Sequence, residues 1–123
     1  MTGRTLAARL AFWGSLIFAV VMAVLPHPPH TPIDQFGDKA GHMLAFGTLA
    51  AFAAAGFPDT PLSRIGERLS FLGAMIEVVQ SIPWIHRDCD IMDWVADTTM
   101  IVLVLLIAGQ FRRINAERRV LRL

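Results

Sequence analysis

The chain alternates between long apolar blocks and short polar joints. The first block runs from about Leu6 to Leu25, with AFWGSLIFAVVMAVL at its centre and no charge after Arg9. A helix rises about 1.5 Å per residue, so roughly twenty residues cross a hydrocarbon core of about 30 Å. A cleavable signal peptide is the rival reading, because Arg4 and Arg9 precede the run and Val21-Met22-Ala23 loosely resembles a cleavage site. The apolar run exceeds the roughly 7–15 residues usual for such peptides, so the block reads as a retained span.

The joint Pro26 to Pro32, PHPPHTP, is too rich in proline to be helical, since each proline removes a backbone donor. The second block, about Lys39 to Phe57, is rich in Ala and Gly, which lets neighbouring helices approach closely in lipid and marks it as the packing centre. Pro58 and the PDTPLSR stretch end it. A third block covers about Leu69 to Ile85 and carries Glu77 and Gln80; Pro83 and HRDCD mark the next turn. The fourth runs from about Ile91 to Phe111, with MIVLVLLIAG as its apolar half. The pattern predicts an all-α fold: an integral membrane four-helix bundle, one domain over residues 1–123, with spans near 6–25, 39–57, 69–85 and 91–111 and short hydrophilic loops. Spans two and three are short, which favours local bilayer thinning or snorkelling.

Composition agrees with lipid as the solvent. The chain is 54% hydrophobic and 17% charged, too little polar surface to cover a soluble domain of this size. Its single cysteine, Cys89, excludes an internal disulfide and so does not fix a redox compartment. Net charge says little, but charge placement says more. Arg4, Arg9, Arg64, Arg68, Arg112, Arg113, Arg118, Arg119 and Arg122 fall on one side of the predicted spans, and Lys39 and Arg87 on the other. That bias places both termini in the cytoplasm (N-in/C-in) by the positive-inside rule. The tail FRRINAERRVLRL reads as a solvated stop-transfer segment or as a helix on anionic headgroups.

Drawn on this topology, the acids gather. Asp38 and His42 lie at i and i+4 on span two, Glu77 and Gln80 at i and i+3 on span three, and Asp90, Asp93 and Asp97 at i, i+3 and i+7 on span four. Antiparallel spans put all three groups in the outer half of the membrane, Glu77 about 9 Å below Pro83 and Asp97 about 10 Å below Asp90. An ionisable group in a membrane costs about 2.5–3.5 kcal/mol on insertion scales, so it ordinarily has a partner or a task. Lys39 and Arg87 can neutralise two of the acids, and Gln80, His42 and Thr98 can hydrogen-bond to others. The rest are expected to stay protonated or to bind a cation. Helix dipoles favour Asp38, Asp90 and Asp93 near N-termini, whereas Glu77 and Asp97 get no such help.

These residues resemble the VanZ-like membrane protein family. The resemblance rests on Asp38-Lys39-x-x-His42 followed by Phe46, then Glu77-x-x-Gln80, then Arg87-x-x-Asp90-x-x-Asp93-x-x-x-Asp97, and covers roughly residues 38–105. Family members often carry Asn where this chain has Asp97, and Gly where it has Met100. The resemblance implies a four-span envelope protein of the bacterial inner membrane. The founding member is linked to glycopeptide resistance, chiefly to teicoplanin, and the family implies no particular reaction.

Three readings of the cluster stay open, and with them the question of whether the chain is an enzyme. In the first, Asp38, Lys39, His42, Glu77, Gln80, Arg87, Asp90, Asp93 and Asp97 form interhelical glue in an accessory protein. In the second, they form a binding or catalytic site open to the outer face, with Glu77, Asp97 and His42 as acid–base candidates and a lipid-linked envelope precursor as substrate. A divalent metal on His42 with Asp38, Glu77, Asp93 or Asp97 is one version of it, and His27, His30 and His86 lie on the same side; no HExxH signature is present. Apart from that metal no cofactor is expected. Cys89 lies beside acids, which raise a thiol's pKa, so it is a poor nucleophile. The third reading is a proton- or cation-coupled transporter subunit, which the apolar inner half opposes. Expected partners are membrane lipids, another membrane protein or a second copy; no nucleic acid is expected.

Overall fold

The computed structural model describes residues 1–25, 37–85 and 90–123. The PHPPHTP joint, His27, His30, His86, Arg87, Cys89 and the Asp38 side chain lie outside the described residues. Among the described residues the fold is all-α: α1 (Gly3–Val24), α2 (Asp38–Gly56), α3 (Leu62–Gln80), a 3-10 turn (Pro83–Ile85) and α4 (Ile91–Leu121). α1 and α4 are each long and apolar enough to cross a membrane.

The ends of each helix follow from local chemistry. Thr2 caps α1, its hydroxyl accepting the Thr5 N–H at 3.1 Å. α2 is entered through Gly37 at φ 93°, a left-handed conformation that glycine takes without a Cβ penalty. Two boundaries correct the sequence reading. α3 starts at Leu62 rather than Leu69, because Pro61 stands just before it and its carbonyl accepts from Arg64 and Ile65. The charged turn holding Arg64, Glu67 and Arg68 is therefore helical. α3 also ends at Gln80 rather than Ile85, since the helix gives way at Ser81 ahead of Pro83, which lacks a donor. α4 continues to Leu121, ten residues past Phe111, so the arginine-rich tail is a direct extension of the fourth helix.

α2 is the centre of the bundle, packing mainly on α4 and α1 and less on α3, while α3 packs mainly on α4. Leu49 and Ala50 on α2 are fully buried, joined by Ala53, Phe46, Ile65, Leu69, Ile76, Ile101 and Leu105. Small residues set the helix spacing, as expected of span two. A Cβ added at Gly56 would lie 3.1 Å from the Arg9 backbone nitrogen, and one at Gly47 would lie 3.0 Å from Met100 Cγ.

The outside of the bundle carries many large apolar side chains. Leu10, Ile17 and Phe18 on α1, Phe71 and Val78 on α3, and Leu106 and Ile107 on α4 are all exposed, whereas Glu77, Gln80, Asp93 and Asp97 are buried. Apolar residues outside and carboxylates inside are compatible with a membrane setting for the two long apolar helices.

Candidate functional site

α2 and α4 begin at the end of the bundle where α3 finishes, and there the polar residues converge. His42 sits one turn into α2, Glu77 one turn before the end of α3, and Asp93 and Asp97 on successive turns of one α4 face. One ligand atom from each of His42, Glu77 and Asp93 lies within 4.8 Å of the others. His42 Nδ1 stands 3.7 Å from Asp97 Oδ2, too far for a hydrogen bond but close for an ion pair. Asp97 is 1% exposed and Glu77 5%. The structure thus brings these residues of three helices together at one end of the bundle. Gly73 faces the Asp97 head: a Cβ there would lie in ordinary contact, 3.7 Å from Asp97 Oδ2 and 3.4 Å from Trp94 Cδ1.

Toward the surface, Lys39 closes the cluster. Its ammonium donates to Asp90 Oδ2 at 2.9 Å and lies 3.2 Å from Asp93 Oδ1. Asp90 also caps α4, its Oδ1 accepting the Met92 N–H at 2.9 Å, and its own N–H donates to Glu77 Oε2 at 3.1 Å. One residue thereby links α2, α3 and α4. The Lys39 ammonium, and then the Met92 N–H, hold the Asp90 carboxyl below the usual carboxylate range. A carboxyl lowered in the folded state stabilises the fold above its unfolded pKa, about 3.9, and that contribution is lost as pH falls through the folded value. Asp90→Asn keeps the cap but removes the charge, so the variant is expected to melt below the wild type from pH 7 down to about pH 5. The gap should begin to narrow below about pH 4 and go on narrowing as pH falls; a gap unchanged at pH 3 would refute the ion-pair role.

Two hydrogen bonds go elsewhere than the sequence suggests. Gln80 Nε2 donates to the Ala23 carbonyl of α1 at 2.9 Å, tying the first helix to the site, and Thr98 pairs with Ser70 at 2.9 Å. Their polar atoms hold helices together instead of serving the acids, because the facing group in each case is a neutral oxygen. Trp94 Nε1 adds a third such tie, donating to Ser70 O at 3.0 Å. Asp97 Oδ1 and Gln80 Oε1 are buried without a hydrogen-bond partner among the described residues. A cleft of about 820 Å³ between α3 and α4, lined by residues such as Gly66, Ile101 and Leu105, takes in none of the cluster.

Sequence reasoning also passed over the opposite end of the bundle. Arg112 donates to the carbonyls of Thr60, Ala54 and Phe57 at 2.8, 3.0 and 3.1 Å, and Arg9 Nε donates to Gly56 O at 2.6 Å. Both arginines entered the sequence reading only as topology signals. The available clue was their position level with the Gly56-Phe57-Pro58 end of α2, whose last carbonyls lack helical partners.

No family profile, curated protein or solved structure matches this chain. The geometry alone therefore carries the chemistry. Buried carboxylates beside an imidazole, reached from the end of the bundle past Lys39, can exchange protons or coordinate a cation.

Proposed function

We propose that this chain is a multi-pass bacterial inner-membrane protein of VanZ-like type, with four spans, both termini in the cytoplasm, and an acid–base site at its extracytoplasmic end. The site works on a lipid-linked envelope precursor that enters from the outer leaflet. His42, Glu77 and Asp97 exchange protons, and Lys39, Asp90 and Asp93 form the rim. One observation carries this reading: a histidine and three carboxylates from three different helices meet in a buried cluster, with Asp97 Oδ1 left unpaired among the described residues. Glue between helices would gain nothing from a buried carboxylate oxygen with no partner. Transport is disfavoured because the other half of the bundle is filled by Leu49, Ala50, Ala53, Leu69, Ile101 and Leu105, which offer no relay.

The test is complementation of a deletion strain, read as growth under cell-wall inhibitors including teicoplanin. His42→Ala, Glu77→Gln and Asp97→Asn are expected to reach wild-type levels in the membrane and fail to complement. Full complementation by all three would overturn the proposal. Reporter fusions at the two ends, active only in the cytoplasm, check the topology.

A further inference from the structure

We propose that His42, Glu77 and Asp93 bind one divalent first-row transition-metal ion, with Asp97 holding the imidazole; this rests on the site reading above and names its ligand.

Three residues from three helices each bring one ligand atom to within 4.8 Å of the others. In a tetrahedral site with bonds of about 2.0–2.2 Å, ligand atoms stand about 3.4 Å apart, so closing on an ion asks each side chain to move by about 1 Å. The donor set, one imidazole and two carboxylates, is neither soft enough for copper(I) nor all-oxygen as calcium and magnesium prefer; it suits Zn²⁺ or Mn²⁺.

Two further observations point to a cation rather than to acids alone. Asp97, 1% exposed, keeps Oδ1 without a hydrogen-bond partner among the described residues, while its Oδ2 stands 3.7 Å from His42 Nδ1. A carboxylate held beside a metal-ligating imidazole fixes the ring and raises its basicity. Charge placement agrees. Among the described residues the ammonium of Lys39 meets Asp90 and Asp93, whereas Asp97 lies deeper with the His42 imidazole as its ion-pair neighbour. A divalent ion on that imidazole would place positive charge beside the buried carboxylate.

The test uses the full chain in lipid nanodiscs, stripped with chelator and titrated with ZnCl₂ and with MnCl₂ by calorimetry, with metal content and melting temperature measured in parallel. One ion per chain is expected, with a rise in melting temperature. His42→Ala, Glu77→Gln and Asp93→Asn should each lose binding at least 100-fold, and Asp97→Asn should lose 10–100-fold. A variant lacking His27, His30 and His86 should bind as the wild type does. Binding that survives His42→Ala but vanishes with those three histidines overturns the proposal, as does a folded wild type that binds neither ion. In the latter case, variants that still fail in complementation would leave the acid–base site standing without its metal.

Discussion

Arg112→Ala is expected to lower the unfolding free energy by about 3 kcal/mol, among the largest losses from a single substitution in this chain. The guanidinium donates to three carbonyls, those of Ala54, Phe57 and Thr60, and is itself part-buried. Bonds from a charged donor contribute about 1.5–3 kcal/mol each when counted singly, and less when one group shares them. Ala54 and Phe57 lie in or next to the last turn of α2, where the helix dipole is negative and carbonyls lack intrahelical partners. Removing the guanidinium strands these oxygens at the edge of an apolar bundle. Arg112→Lys keeps the charge but loses the fork, so about half the loss should remain. Unfolding in SDS, followed by circular dichroism in mixed micelles, measures both. A loss below about 0.5 kcal/mol for Arg112→Ala would show that water takes over the three carbonyls without penalty. Arg9 stacks over the Phe57 ring at 4.8 Å and donates to Gly56 O, so it backs the same helix end from α1.

That clasp shows where reading the sequence stops. Hydropathy placed α1 within a few residues of Gly3–Val24 and α2 within one residue of Asp38–Gly56, because lipid-length apolar blocks bounded by proline and glycine are local signals. It misplaced α3, since the turn holding Arg64, Glu67 and Arg68 is too polar to score as a span yet is still helical after Pro61. The meeting of His42, Glu77, Asp93 and Asp97 was legible for a different reason. Helical spacing fixes a face, and antiparallel spans fix a depth, so residues with one face and one depth must meet. Partners set by rotation of one helix against another were not legible. Gln80 reaching Ala23, Ser70 taking Thr98, and Arg112 reaching Thr60 all depend on packing angles that no local pattern encodes.

The cluster's own role can be separated from its contribution to the fold by stripping its charges. A combined His42→Leu, Glu77→Met and Asp97→Asn variant is expected to melt at or above the wild-type temperature while losing both complementation and metal binding. All three side chains are largely desolvated. Replacing buried ionic groups by apolar residues of similar size is often neutral or stabilising by about 1–4 kcal/mol. One cost is at the Asp90 N–H, which donates to Glu77 Oε2 and would lose that acceptor. Asp90 is nevertheless half-exposed at the rim, so water can replace the carboxylate. Asp97→Asn is chosen over a leucine because it keeps the size and shape of a side chain that is 1% exposed. If the carboxylates were instead the bolts of the bundle, the same variant would lose about 3–5 kcal/mol and vanish from the membrane. A stable but inactive bundle is the outcome that assigns the buried charges to chemistry, since a fold that stands without them has no structural reason to bear their desolvation cost.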